Sequence, residues 1–455
     1  AYHGNNGGDG FVIARYLAER EKTEVTVAFL GDEKKFSPEA EDNFRKLPDS
    51  VRILRKTSEL ANALKNEKYS IIIDALLGTG GKRALKGPLK EAVAMMNRHR
   101  KNRRNCIIAA VDVPTGTDPD TGKTGKTHVQ ADLVITFHDS KPGLEVIAKR
   151  KPKPRIITAP IGIPKAVEHI AGPGDLKACL KRRDRESKKG DFGKVLLIGG
   201  SKEFAGAPIL AVMGLSAMRA GTDLVKVAAP EKVAWAINSF TPELITVKLE
   251  GDTISKEHFD KLLQESRWAD VLLIGPGLGR KKETEETIRK LVLHKDVRKK
   301  PKVIDADALK MITLDEVENS VLTPHRGEFA VLWKKSTGRE WKGKLTPARI
   351  KTIMKHAGSN VLLLKGPEDY IISREKWKKN MTGNPGMTAG GTGDVLAGLA
   401  AGLLGLGNGL FESACAAAWL AGKAGDECFK EMGYGFLASD VAKKAALIAS
   451  QLTPK

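Results

Sequence analysis

Hydrophobic positions along the first third of this chain come in short β-branched runs separated by longer amphipathic stretches. Glu24 to Leu30, Ile71 to Asp74, Ile107 to Asp112 and Leu133 to Phe137 have the length and composition of strands. The stretches between them carry helix-start signals. Ser37-Pro38 ahead of Glu39-Ala40-Glu41 places a capping hydroxyl just before a proline at the first helical position. Strand, loop and helix in repetition from Phe11 to Thr158 predict a mostly parallel sheet.

The rhythm stops between Pro160 and Gly190, where Gly162, Pro164, Gly172-Pro173-Gly174 and the charged run Lys181 to Lys189 break any regular element. We therefore expect a boundary near 170 to 185, with domains at 1–175 and 176–455. A second series follows, with strands at Val195 to Ile198, Leu224 to Val227, Val271 to Ile274, Val303 to Ile304, Val321 to Thr323 and Val361 to Leu364, then a Gly/Ala-rich helical end. The fold class is α/β with two domains. The most apolar window, Val395 to Gly422, is interrupted by Asn408 and Glu412, which predicts two buried helices and no membrane span.

Composition changes this picture little. A hydrophobic content of 41% supplies full cores for two domains. The net charge of +21 invites a nucleic-acid reading, yet aromatics are only 5% of the chain and leave little for base stacking, while basic runs such as Lys181-Arg182-Arg183 sit at linkers. A basic surface favourable to phosphorylated small molecules is expected, with no nucleic acid or membrane as partner. Cys106, Cys179, Cys415 and Cys428 are scattered without metal-ligand spacing, which argues against a disulfide framework or a zinc site and fits a reducing cytoplasm. The start, Ala1-Tyr2-His3-Gly4, has neither an initiator methionine nor a signal-peptide core, so residues upstream are expected to be missing. A homo-oligomer is left open.

Candidate chemistry centres on Asn384-Pro385-Gly386-Met387-Thr388-Ala389-Gly390-Gly391-Thr392-Gly393-Asp394, followed by an apolar helix from Val395. Glycines let backbone N–H groups turn toward an anion, and the helix adds its positive end. Three consecutive donors, Gly391 to Gly393, and Asp394 as a base make a minimal phosphoryl-transfer centre. Other strand ends supply small or polar groups for the same rim: Gly199-Gly200-Ser201 with Gly206-Ala207-Pro208, Gly275-Pro276-Gly277, Asp305-Ala306-Asp307, Thr323-Pro324-His325-Arg326-Gly327-Glu328 and Lys365-Gly366-Pro367. Taken alone, Gly275-Pro276-Gly277 is as consistent with a simple turn, and His325 with a helix cap. The Walker pattern is absent, because the Gly-Lys-Thr tripeptides at Gly122 and Gly125 have Thr117 and Asp120 where the upstream glycine belongs.

The first half repeats the theme. Gly4-Asn5-Asn6-Gly7-Gly8-Asp9-Gly10 precedes a helix expected near Phe11 and forms a phosphate cradle, with Asp74 to Gly80 and Val111-Asp112-Val113-Pro114-Thr115-Gly116 at two further strand ends.

From Lys189-Gly190-Asp191-Phe192-Gly193 through Gly393-Asp394 the chain resembles the ribokinase-like dehydratase that repairs hydrated NADH and NADPH, over most of residues 185 to 450. The three motifs of the first half resemble the NAD(P)H-hydrate epimerase family, which often precedes the dehydratase in one polypeptide. The resemblance implies a Rossmann-like three-layer sandwich followed by a ribokinase-like α/β/α domain. It implies that Ala207, Gly277, His325 and Asp394 face the hydrated dinucleotide, that Lys365, Gly391, Thr392 and Gly393 bind the adenine nucleotide, ADP or ATP, and that Asp394 is the catalytic base. Mg2+ is expected as counter-charge, through Glu328. In the first half it implies that Asn5, Asn6, Gly7, Gly8, Asp9, Gly78 and Asp112 contact the hydrate, that Asp112 is catalytic, and that Asn6, Asp74 and Thr115 bind potassium.

Lys141 either reaches the same loop or is an exposed turn lysine. The chain departs from the family pattern at Lys188, commonly histidine, at Thr115, commonly serine, and at Tyr2, commonly glycine. Family members also carry a helix and a first strand ahead of Gly4, so the first domain is expected to lack both. Two other readings fit the same residues: a ribokinase-like small-molecule kinase with a non-catalytic first domain, and a nucleotide-binding scaffold.

Overall fold

The computed structural model describes residues 1–20, 23–80, 84–103, 105–150, 153–217 and 222–453. The chain divides into two compact units, Ala1–Pro164 and Lys165–Lys455.

In the first unit β1 (Thr26–Ala28) pairs in parallel with β2 (Arg52–Leu54), while β3 (Ile71–Asp74), β4 (Ile107–Val111), β5 (Leu133–Phe137) and β6 (Arg155–Ala159) form a parallel sheet in that order. Helix Asn5–Arg20 precedes β1, and helices Pro38–Arg45, Thr57–Asn66 and Gly87–Asn102 connect β1 through β4 in turn. Ser37 caps helix Pro38–Arg45 as expected, its Oγ accepting from Ala40 N at 3.4 Å. A groove of about 690 Å³, lined by Val27, Leu30, Leu60, Ile72, Leu76 and Met96 among others, separates β1 from β3. Ala1 lies at its edge, donating to Ala28 O at 2.8 Å and accepting from Leu30 N at 3.2 Å.

The second unit carries β7 (Lys194–Ile198), β8 (Leu224–Pro230), β9 (Ile245–Leu249), β10 (Val271–Ile274), β11 (Lys302–Ile304), β12 (Ser320–Leu322), β13 (Val361–Leu364), β14 (Asp369–Ile372) and β15 (Trp377–Asn380). They form one nine-stranded sheet in the order β15-β14-β13-β12-β11-β10-β7-β8-β9, parallel except at the two pairings made by β14. The central strands are apolar on both faces because both are covered. Val195 and Leu197 join the core with helices Gly206–Ala217, Thr392–Gly405, Leu410–Met432 and Ala438–Leu452, whereas Leu196 and Ile198 join the core with helices Phe259–Trp268, Lys282–Leu293, Arg326–Thr337 and Pro347–His356. The apolar window is indeed two buried helices, and no helix among the described residues is long and apolar enough to cross a membrane.

The units part at Pro164, about ten residues before the boundary expected at 175. The breaker-rich stretch belongs to the second unit: Ala171 N donates to Lys379 O of β15 at 2.9 Å, and Leu176 and Cys179 are buried in its core. Turn-forming residues mark a strap here and not a linker.

Helix Thr392–Gly405 is held against helix Gly206–Ala217 at van der Waals distance. A Cβ at Gly398 would stand 2.1 Å from Ala211 O. Alanine's higher helix propensity is worth about 1 kcal/mol over glycine, but overpacking of a tight core costs about 1–3 kcal/mol. Gly398→Ala is therefore expected to lower stability despite the better helix former, read as a lower denaturant midpoint at unchanged slope. An unchanged or raised midpoint would show that the two helices have room.

Candidate functional site

Five neighbouring parallel strands of the second unit end on one rim, as open α/β sheets require. The loops after β7, β10, β11, β12 and β13 bring Ala207, Gly277, Asp305, Thr323, His325 and Lys365 there. Ser201 Oγ donates to Gly277 O at 2.8 Å, and Ala207 sits half-buried in the first turn of helix Gly206–Ala217. Gly275 has φ 136°, and a Cβ there would lie 1.8 Å from Asp305 O. The first glycine of Gly275-Pro276-Gly277 is thus required by backbone contact between two loops, which is the turn reading of that motif.

Asp394 occupies the first turn of helix Thr392–Gly405, behind an N-cap at Gly391 with φ 92°. It is half-buried. Burial pushes its carboxyl up to about 7, assisted by the negative charges of Asp305 and Glu328 and opposed by Lys365. A base with that value is half ionised near neutrality, where general-base catalysis is most effective. The donors beside it are two and not three: Thr392 N donates to Ala389 O at 3.4 Å, while Gly391 and Gly393 N–H find no acceptor among the described residues. Thr392 Oγ1 likewise donates within the loop, to Met387 O at 2.7 Å, and so clamps it.

Lys365 Nζ lies beside Gly393, where a Cβ would stand 3.2 Å from it, and donates to Asp305 Oδ1 at 2.9 Å. Burial disfavours its charge, but Asp305, Glu328 and Asp394 outweigh that and hold the ammonium above the usual lysine range. His325 is the N-cap of helix Arg326–Thr337. Its Nδ1 accepts from Gly327 N and Glu328 N at 3.0 and 3.4 Å. The imidazole is therefore a capping group with an exposed edge on the rim. Glu328 completes the cap, taking His325 N at 3.0 Å and lying 3.2 Å from His325 Nε2. Each of its oxygens thus has one partner within the cap, with lone pairs to spare.

In the first unit the helix begins at Asn5, six residues before Phe11, so Asn5 to Asp9 form its opening turns instead of a loop ahead of it. Their N–H groups still supply the positive end of a helix. Asn6 Oδ1 packs on Gly78, where a Cβ would stand 3.0 Å away, and its buried Nδ2 has no partner among the described residues. Asp74 is fully buried. It accepts Thr115 N at 2.8 Å and Thr115 Oγ1 at 2.7 Å, and burial nevertheless raises its pKa. Asn5 binds Ser37 Oγ. Gly7 and Gly8 are buried in the helix.

Asp112 stands at the end of β4 in the left-handed region, φ 65°, a strained conformation that clusters at functional positions. Its Oδ1 accepts from Lys141 Nζ at 2.5 Å and Thr136 Oγ1 at 3.1 Å. Lys141 thus reaches the loop. Asp9 is raised by burial and then by the charge of Asp112. Sequence reasoning placed Asp305 and Thr323 on the rim without giving either a role, and did not name Thr136; the signal for the last was its place on a strand beside an assigned residue.

Comparison with known proteins adds a second line of support. A family model described as NAD(P)H-hydrate dehydratase matches residues 195–446, and one described as the YjeF-related protein N-terminus matches residues 3–143. The bifunctional NAD(P)H-hydrate repair enzyme Nnr of Pyrobaculum aerophilum is 39% identical over 449 residues, covering 97% of this chain and 86% of that protein. Its counterpart from Methanothermobacter thermautotrophicus is 39% identical over 450 residues, covering 96% and 84%. Among solved structures, the ADP/ATP-dependent NAD(P)H-hydrate dehydratase of Bacillus subtilis, co-crystallized with ATP/Mg2+, is 25% identical with a TM-score of 0.52, covering 64% of this chain and 99% of that one.

The raised carboxyl of Asp394 has a cost that the fold must bear. Its folded pKa of about 7 lies above its ordinary 3.8, so the native state binds the proton more tightly, and stability falls as pH rises through that window. Asp394→Asn is expected to be more stable than the parent, with a gain in Tm larger at about pH 8 than at about pH 5. A gain independent of pH would show that Asp394 is not held protonated by its surroundings.

Proposed function

The chain belongs to the family of bifunctional NAD(P)H-hydrate repair enzymes, and from that membership we propose that it restores NADH and NADPH from their hydrates in two steps. The first unit interconverts the R and S hydrates. The second transfers a phosphoryl group from ADP or ATP to the ring hydroxyl of the S hydrate, and loss of phosphate then regenerates the dihydronicotinamide.

The observation that carries the second step is a carboxylate with a pKa of about 7 beside the N–H groups of Gly391 and Gly393 and the ammonium of Lys365. Asp394 takes the hydroxyl proton as oxygen attacks the nucleotide's terminal phosphorus. The two N–H groups and Lys365 meet the negative charge gathering on the transferred group, and losing one such donor costs about 10²–10³-fold in rate. Ala207, Gly277 and the exposed edge of His325 face the dinucleotide. Among the described residues no three His, Cys, Asp or Glu side chains form a metal cage, so magnesium would be held chiefly by the nucleotide's own phosphates, whose charge it neutralises.

In the first unit Asp112 gives and recovers the proton that epimerisation requires, with Lys141 fixing its position. A potassium ion fits Asn6, Asp74 and Thr115: a fully buried carboxylate, a hydroxyl oxygen and the amide oxygen of Asn6 suit a hard monovalent cation, which would supply positive charge where burial disfavours Asp74's own negative one.

Purified protein given both hydrate epimers and ADP or ATP is expected to restore the full dihydronicotinamide absorbance, whereas recovery of only about half would mean a working dehydratase without epimerase, since epimerisation alone makes the R form available. Accumulation of a stable phosphorylated alcohol without that absorbance would instead identify a small-molecule kinase. Asp394→Ala should cut turnover by about 10²–10⁴-fold while nucleotide binding stays within about tenfold. The parent's rate should fall as pH drops through about 7, the value at which Asp394 takes up its proton. Omitting potassium, or Thr115→Val, should slow the epimerase without touching the dehydratase; equal epimerisation in both cases would remove the ion from the proposal.

A further inference from the structure

Asp305 is the most rigidly placed acid on the rim. Its side chain is 2% exposed, and Oδ1 accepts from Thr323 Oγ1 at 2.7 Å as well as from Lys365 Nζ at 2.9 Å. Its N–H donates to Ile274 O at 3.0 Å, and its C=O abuts Gly275. Three strand ends, those of β10, β12 and β13, therefore fix one carboxylate.

The ammonium of Lys365 has three acids in range, Asp305, Glu328 and Asp394, and the pairing it makes is with Asp305. A nearly buried pair of this kind gains little stability over an apolar replacement, because desolvation cancels most of the attraction. Stability alone thus gives no reason for it. Its location does: the nitrogen it immobilises lies against Gly393, one residue from Asp394.

We infer that Asp305 is the positioning residue of the second unit, holding the Lys365 ammonium against Gly393 and away from a direct ion pair with Asp394. The cation then meets the transferred phosphoryl group, and the base keeps its affinity for the substrate's proton. If the two paired directly, each would quench the other: Asp394 would become a weak base, and the ammonium would be turned from the phosphate. The charged groups facing Asp394 are Asp305 from the loop after β11, Lys365 from the loop after β13 and Glu328 from the helix after β12, itself engaged with His325. Of the acids, Asp305 has the larger effect.

This inference rests on the reading of Asp394 as base, and the test separates the two. In Asp305→Asn the amide oxygen can still accept from Thr323, but the ammonium loses its counter-charge and turns to Asp394. Full-length protein labelled with 13C at aspartate carboxyls is titrated by NMR, the Asp394 signal being the one missing from Asp394→Asn. Its midpoint, near 7 in the parent, is expected to fall by about one unit or more in Asp305→Asn. Turnover should fall about tenfold or more, with the acid limb of the pH profile moving down in step and the hydrate KM within about threefold.

Thr323→Val, which releases one of the two holds on Asp305, should move the midpoint in the same direction by a smaller amount, and it decides the matter should Asp305→Asn not fold. A midpoint unmoved in the variants that fold overturns the inference even if activity is lost, because loss without a shift is what a purely structural tie would give. If the parent does not dehydrate the hydrate at all, the functional reading fails, while the titration of Thr323→Val, which keeps the Asp305 charge, still decides whether Asp305 keeps Lys365 from Asp394.

Discussion

The second unit depends on keeping an ionisable carboxylate at the mouth of a helix with nowhere to retreat. Every residue from Val395 to Gly405 is buried, and the helix is locked where Gly398 meets Ala211 and Gly214 meets Val395. The backbone that carries Asp394 is therefore fixed, and its half-buried carboxylate is held against the rim. Desolvation then does what no single hydrogen bond does, lifting the carboxyl to about 7. The positive end of the helix pulls in the opposite direction but is worth only about 0.3–1 kcal/mol in ordinary settings, so burial wins.

A carboxylate raised in this way is unstable by design, and its neighbours share the load. Lys365 supplies attraction at a distance, since its hydrogen bond is taken by Asp305. Thr392, His325 and Glu328 spend their polar groups on the loop and helix cap that shape the rim. The site thus separates two tasks: residues that consume their hydrogen-bonding capacity to fix geometry, and a few that are left unsatisfied because the ligand is to complete them. Gly391 and Gly393 belong to the second group.

Much of this was legible in the sequence. Strands buried on both faces announce themselves as apolar runs, so β10 and β13 have the limits that hydrophobic runs predict, as do the apolar strands β3 and β5 of the first unit. The shortest and most polar edge strands do not. β15, Trp377-Lys378-Lys379-Asn380, and β2, Arg52-Ile53-Leu54, are short and polar, and their strand character comes from a neighbour's open edge instead of their own pattern. The Gly/Pro-rich stretch after Pro160 looked like a linker because turn residues say where a chain bends and not what it packs on. Asp394 stood out through its contrast with the apolar helix behind it. Asp305 did not, since its importance lies in which of three nearby acids a lysine pairs with, and that choice is a matter of distance.

The two units, though different in sheet and sequence, arrive at one electrostatic arrangement. In each, a lysine is bound to one carboxylate at a strand end, Asp112 with Lys141 in the first and Asp305 with Lys365 in the second. In each, a second carboxylate nearby, Asp9 or Asp394, is left without that lysine's hydrogen bond and is raised by burial and by the charge of the paired acid. The logic is general: an ion pair consumes the only strong cation in reach, so the remaining acid meets desolvation and like-charge repulsion with little to offset them. A fold that needs a proton acceptor near neutrality need not bury a lone acid deeply. It can place two acids beside one lysine and let geometry decide which of them stays basic.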